Sequence, residues 1–166
     1  MQAEGTPLTF TLGTIGAHWA NLAAATLAVT IALGLDAAKT AKALSAFHEI
    51  KGRGSLHAIA AGGGTATLVD DSYNASPAAM RAAFAKLKEL KDAGACAGRV
   101  IAALGDMREL GDTAPRLHAE LAADVEKAGV ERVYTAGTLM RHLHEALPVR
   151  LRGAHVAAAA ELTPLL

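Results

Sequence analysis

A single cysteine, Cys96, in a chain of 166 residues excludes an internal disulfide framework and fits a reducing compartment. It sits in Ala93-Gly94-Ala95-Cys96-Ala97-Gly98, a loop composition that supplies neither the base nor the cations a nucleophilic thiolate needs. Aromatic residues make up only 4% of the chain, and with so much alanine this predicts a core of small side chains and closely packed helices. Neither sign of charge dominates: sixteen Lys and Arg balance sixteen Asp and Glu, so there is no electrostatic footprint for nucleic acid or an acidic membrane. The apolar run from Gly16 to Leu33 is short for a bilayer, is interrupted by Asn21, Thr26 and Thr30, and lacks flanking Lys or Arg, so it reads as a buried helix and not a membrane span. The basic segment that opens a signal peptide is missing as well. So is a phosphate-binding loop of the form G-x-x-G-K-[ST]. Lys39-Thr40 follows Ala37-Ala38, and Gly62-Gly63-Gly64 leads into a strand pattern, so neither puts glycine N–H groups at a helix start.

What is present is organised around Asp70-Asp71-Ser72-Tyr73-Asn74-Ala75-Ser76-Pro77. Thr65–Val69 before it is apolar and partly β-branched, the pattern of a buried strand. After it Ser76 suits an N-cap and Pro77 the first helical position, and Met80, Phe84, Leu87 and Leu90 recur at helical spacing until Gly94. Two carboxylates, a phenol and an amide therefore lie where a strand ends and a helix begins, the place where open α/β sheets bind ligands. The plainer alternative is an Asp-rich turn with a cap.

The remaining sequence alternates strand and helix. Thr9–Leu12 alternates like a strand, Gly16 to Leu33 forms a helix, and Asp36 caps a second one carrying Leu44 and Phe47. Lys51-Gly52-Arg53-Gly54 breaks the pattern and marks a domain boundary, with domains over 1–53 and 54–166. Leu56–Ile59 and Thr65–Val69 flank a glycine turn as a hairpin. Strands are predicted at Arg99–Leu104, Glu131–Thr135 and Ala154–Val156. Between them, Asp112 or Thr113 caps a helix with Leu117, Leu121 and Val125 on one stripe, a second carries Leu139, Leu143 and Leu147, and Glu161–Leu166 begins a last one. Repeated βα units with short loops imply a mostly parallel, doubly wound α/β sheet.

Four strings in order resemble the Mur ligase family. Asp70–Pro77 followed by Met80 resembles the string that opens its C-terminal domain. Gly16-Ala17-His18-Trp19-Ala20-Asn21 resembles its G-x-H-x-x-N, and Gly52-Arg53-Gly54 the G-R ending its central ATPase domain. Leu104-Gly105-Asp106-Met107-Arg108-Glu109-Leu110-Gly111 resembles a string of the branch that adds D-alanyl-D-alanine to UDP-N-acetylmuramoyl-tripeptide. Ser76 departs from the family's usual second Asn, and the family's phosphate loop is absent. The resemblance implies a Rossmann-like C-terminal ligase domain over 54–166, preceded over 1–53 by a helical remnant of the ATPase domain. It implies the last third of a cytoplasmic bacterial enzyme of peptidoglycan precursor synthesis, cut short at its end, with the N-terminal and central domains as missing partners. In the full-length enzyme, with ATP and Mg2+, the substrate's terminal carboxylate becomes an acyl phosphate that the dipeptide amine attacks. The fragment itself is expected to be inactive, with no tightly bound cofactor. Another Mur or folylpolyglutamate-type branch, or a non-catalytic Rossmann-like nucleotide-binding module, stays open.

By that resemblance, Asn21, Arg53 and Asp71 are the ATP-binding residues. An amide offers donor and acceptor to a base edge, a guanidinium pairs with phosphate oxygens, and a carboxylate accepts from vicinal ribose hydroxyls. Tyr73 and Asn74 are candidates for substrate contact. Each has a plain alternative: a satisfied polar residue for Asn21, a surface charge for Arg53. Asp70 reads as support for the turn, and His18 as a cap or packing residue. Asp106 and Glu109 resemble an acid pair, but capping or loop ordering explains them better than contact with the dipeptide. No metal site is expected, because His142 and His144, the nearest histidine pair, point apart on a helix.

Overall fold

The computed structural model describes residues 2–3, 6–14, 17–48, 50–95 and 98–165, and Gly16 and Cys96 lie outside them. The chain divides into two compact units, Met1–Ile50 and Lys51–Leu166. In the first, β1 (Gln2–Ala3) pairs antiparallel with β2 (Thr6–Pro7), followed by α1 (Ala17–Ala32) and α2 (Ala37–Ser45). Ala23, Leu27 and Thr30 form the buried stripe of α1, spaced so that they fall on one face. The Thr30 hydroxyl donates back to the Thr26 carbonyl at 2.9 Å and lies 3.3 Å from the Thr40 hydroxyl of α2. Asp36 caps α2 as expected, accepting from the N–H groups of Ala38 and Lys39. Thr9–Leu12 is not the expected strand: among the described residues its alternation has no neighbouring strand to pair with, and pairing stops at Pro7. Among the described residues no helix is long and apolar enough to cross a membrane.

The second unit begins with a hairpin of β3 (Ser55–Ala61) and β4 (Gly64–Asp70), in register from Ser55 opposite Asp70 to Ala61 opposite Gly64. Gly62 and Gly63 have φ of +56° and +81°, so the triple glycine serves a two-residue turn that needs positive φ at both positions. Next come α3 (Pro77–Asp92), β5 (Ile101–Gly105), α4 (Ala114–Lys127), β6 (Arg132–Ala136), α5 (Met140–Ala146) and β7 (Arg152–Val156). The last three strands form a parallel sheet in sequence order. The crossovers between these strands are α4 and α5, and α4 packs on both α5 and α3. Between helices and sheet lies the core: Phe84 of α3, Leu121 and Val125 of α4, Val133 of β6, and Met140 and Leu143 of α5. The α/β class and the parallel sheet agree with the sequence.

Two local expectations give way. Asp112 and Thr113 do not cap α4 with their side chains; the chain enters through a 3-10 turn, Gly111–Thr113, where the Thr113 hydroxyl donates to the Leu110 carbonyl at 2.7 Å. The buried stripe of α4 is Ala114, His118, Leu121 and Val125, so His118 holds the place expected of Leu117. A histidine survives there because both ring nitrogens are satisfied: Nδ1 donates to the Ala114 carbonyl at 2.7 Å, and Nε2 accepts from the Met107 N–H at 3.0 Å. The final segment, Ala159–Leu165, is 3-10 and not α-helical.

Leu121→Ala should lower unfolding free energy by about 2–5 kcal/mol, read from urea denaturation, because the side chain is wholly buried between helix and sheet. A second expectation concerns acid. The Nδ1 of His144 is buried and has no hydrogen-bond partner among the described residues, and its ring centroid lies 5.5 Å from that of His155. Burial first, then the charges of His155 and Arg152, hold its pKa below the ordinary value of 6.5. The unfolded chain then binds more protons in acid, so the stabilisation is complete above the unfolded pKa and declines as pH falls through the lowered folded value. The urea midpoint should drop from pH 7 toward about pH 5, and His144→Gln should reduce that drop.

Candidate functional site

The β4–α3 turn is held by the backbone of Gly52-Arg53-Gly54. The Gly54 N–H donates to the Asp70 carbonyl at 2.8 Å, extending the hairpin past Ser55, and the Tyr73 N–H donates to the Gly52 carbonyl at 2.9 Å. Gly52 and Gly54 have φ of +76° and +80°, and a Cβ on Gly52 would come within 3.2 Å of the Tyr73 Cβ, so glycine is required there on both counts. Asp70 closes the turn from within: its Oδ1 accepts from the Ser72 hydroxyl at 2.7 Å and the Ser72 N–H at 3.2 Å. Those bonds, the hydroxyl first, hold its carboxyl below the ordinary carboxylate pKa. Ser76 then caps α3, its Oγ accepting from the Ala79 N–H at 3.2 Å, with Pro77 as first helical residue. Thus the serine that replaces the family's usual Asn does the capping itself.

This arrangement brings four of the five candidate residues onto one turn. The Arg53 guanidinium carbon lies 4.2 Å from the centroid of the Tyr73 ring, a cation–π stack at the protein surface, Tyr73 being 69% exposed. Asp71 is exposed and has no hydrogen bond or ion pair among the described residues, so its carboxylate is available to a ligand. Asn74 is exposed too, but its Oδ1 accepts from the Ala75 N–H at 2.9 Å, leaving the NH2 to donate. Asn21 is not on this turn; it lies exposed on α1 of the first unit, as does His18, whose ring stands 5.2 Å from that of Trp19. Among the described residues no three His, Cys, Asp or Glu side chains come together to hold a metal ion. The donor set therefore suits a ligand with vicinal hydroxyls and an anionic group.

Two side chains make long-range bonds that order this unit: Lys86, which the sequence did not single out, and Asp106, which bears out the capping expected of it. Lys86, on α3, is buried and its Nζ donates to the Gly54 carbonyl at 2.7 Å. The signal was a lysine three residues after Ala83 and four before Leu90, on the inward half of the helix. The other is Asp106, at the carboxyl end of β5, whose Oδ1 accepts from the Met140 N–H at 2.7 Å and so caps α5 across the sheet. Gly137 makes room for that carboxyl, since a Cβ there would overlap it. With Met107 buried and tied to His118, residues 106–107 act as structure. Glu109 stays exposed, with φ of +62°.

Fold and turn together define an α/β domain whose strand-to-helix junction presents Asp71, Tyr73 and Asn74 at the surface. The family model for the Mur ligase glutamate ligase domain matches residues 52–164, and the chain belongs to the Mur ligase family. It is 33% identical over 141 residues to the UDP-N-acetylmuramoyl-tripeptide–D-alanyl-D-alanine ligase of Rickettsia prowazekii, covering 85% of this chain and 29% of that protein. It is 43% identical over 79 residues to the UDP-N-acetylmuramate–L-alanine ligase of Streptomyces avermitilis, covering 48% of this chain and 16% of that one. A crystal structure of MurF from Acinetobacter baumannii superposes with a TM-score of 0.79 at 27% identity, over 96% of this chain and 33% of that one. The chain thus spans less than a third of the length of the curated relatives it matches.

Gly52→Ala should destabilise the second unit by about 1–3 kcal/mol, because it combines a left-handed backbone with a close approach to Tyr73. Urea denaturation followed through Tyr73 and Tyr134 fluorescence checks it; an unchanged midpoint would show that the turn adjusts freely.

Proposed function

We propose that the β4–α3 turn is the ribose- and phosphate-contacting surface of an ATP-dependent peptidoglycan-precursor ligase, and that the whole protein joins D-alanyl-D-alanine to UDP-N-acetylmuramoyl-tripeptide. The observation that carries this is the pairing of an unengaged Asp71 carboxylate with an Arg53 guanidinium held over Tyr73 on the Asp70–Pro77 string. Asp71 accepts from the two ribose hydroxyls, whose spacing matches a carboxylate's two oxygens. Arg53 donates to phosphate oxygens in the fork geometry a guanidinium provides. Asn21, in the first unit, offers donor and acceptor to the base edge. Tyr73 and the free NH2 of Asn74 are assigned to the acceptor substrate.

ATP, bound with Mg2+, supplies the phosphoryl group that activates the substrate carboxylate. The residues of this chain bind and orient; none is assigned to the chemical step. Residues 1–53 are read as the end of the ATP-binding domain and 54–166 as the ligase domain. Because no G-x-x-G-K-[ST] loop occurs in the chain, it should release no phosphate from Mg-ATP by itself. Amine specificity is read as dipeptide on the strength of Leu104–Gly111, with a single amino acid as the competing choice.

In the full-length ligase carrying these residues, Arg53→Ala and Asp71→Ala should each weaken ATP binding. In a double-mutant cycle they should couple by about 0.5–3 kcal/mol, since both engage one ligand in one closed arrangement. Additive losses would make Arg53 a surface charge. Offering the same enzyme D-alanyl-D-alanine with UDP-N-acetylmuramoyl-tripeptide, or L-alanine with UDP-N-acetylmuramate, decides the branch; product only from the second pair overturns it.

A further inference from the structure

Lys86 is a cation with 3% of its surface exposed, an arrangement that is strongly unfavourable unless its lost hydration is replaced by well-made bonds. One such bond runs 32 residues back along the chain, from Nζ to the Gly54 carbonyl at 2.7 Å, the length of a charge-assisted hydrogen bond. Gly54 is the last residue of the three-residue segment whose middle member is Arg53. The segment's other backbone bonds, Gly54 N–H to Asp70 and Gly52 carbonyl to Tyr73, hold it to the turn in front of α3. Lys86 attaches it to the helix itself. Glycine is also the residue that lets the ammonium approach, for a Cβ on Gly54 would lie 3.3 Å from Nζ on a backbone already at φ +80°. Two glycines flanking an arginine would otherwise give that peptide many conformations.

We infer that Lys86 is a positioning residue for the Arg53–Tyr73–Asp71 site. Its bond to the Gly54 carbonyl holds the Gly54–Ser55 peptide, the next one after the two Arg53 peptides that Tyr73 and Asp70 already hold, so that the segment leaves Arg53 in one direction and the guanidinium is kept over the Tyr73 ring. The positioning stands on the geometry alone; its consequence for nucleotide rests on the function proposed above. Lys86 touches no ligand in this scheme and acts through Arg53.

The test uses isotope-labelled 166-residue chain. In the wild type, a through-hydrogen-bond NMR coupling between the Lys86 Nζ and the Gly54 carbonyl carbon is expected, and its absence overturns the inference. In Lys86→Met, which keeps the apolar stem and loses the donor, the β5–β7 amides should stay protected. The ring-current displacement of the Arg53 Hδ protons by Tyr73 should fall by at least about half, while Lys86→Arg, which can still donate, restores it. Retention of the displacement in folded Lys86→Met overturns the positioning role, because a merely structural lysine would leave Arg53 where it is. Should Lys86→Met not fold, Lys86→Leu, which also lacks a donor, and the wild-type coupling are read in the same way. In the full-length ligase, Lys86→Met should raise the KM for ATP about tenfold with a smaller change in kcat. If the NMR results hold and that KM does not move, Lys86 still positions Arg53 and it is the nucleotide reading of the turn that falls.

Discussion

Everything at the candidate site depends on two backbone hydrogen bonds, from the Gly54 N–H to Asp70 and from the Tyr73 N–H to Gly52. A strand that ends before a helix leaves its last peptide groups without a ladder, and buried groups of that kind must find partners. Here the partners come from the segment that precedes the hairpin, so the chain passes the same point twice and is bonded to itself there. The double passage puts Arg53 and Tyr73, twenty positions apart, in stacking contact. It also leaves Asp71 between two engaged neighbours while remaining unengaged itself, because Asp70 and Ser72 satisfy one another.

The parallel sheet supports this turn and supplies its rigidity. Phe84 and Met80 anchor α3 to the core formed with α4, so the helix that follows the turn is fixed against the sheet. On the outer side Arg81 reaches Asp124 at 3.2 Å and Glu120 at 3.7 Å, exposed pairs that add little energy but tie α3 to α4. The opposite end of β5 is ordered by a different device. Asp106 caps α5 and His118 holds Met107, so much of the Leu104–Gly111 string is explained by folding alone. Asp106 and Met107 are thereby accounted for, and Glu109, exposed in a left-handed backbone, is not.

The first unit shows the same chemistry with less enclosure. Its α1 helix buries one stripe and exposes Leu22 and Val29, with Leu33 exposed just beyond its end. Its two threonines return their hydroxyls to carbonyls one turn earlier, which is how an apolar helix carries polar residues without a partner for each. That explains the interruptions which, in the sequence, argued against a membrane span.

Local chemistry was legible in the sequence wherever one residue type had one structural use. The glycine turn, the Ser76 and Asp36 caps, Pro77 at a helix start and the apolar strands of the sheet all followed from propensities that act within a few residues. The strand end and capped helix start around the Asp70–Pro77 string were legible for the same reason. Contacts made by residues far apart in sequence were not. Nothing in the sequence singled out Lys86 or His118, and Asp106, read as a capping or loop-ordering residue, had no identified partner. In each case the partner is a distant carbonyl or N–H that only the folded chain brings within 3 Å. Thr9–Leu12 failed in the opposite sense, since a strand pattern is only half of a strand and its other half must be supplied by a neighbour. Sequence determined which groups could bond, and tertiary structure decided which of them met, because a buried polar group takes whatever partner the packing delivers.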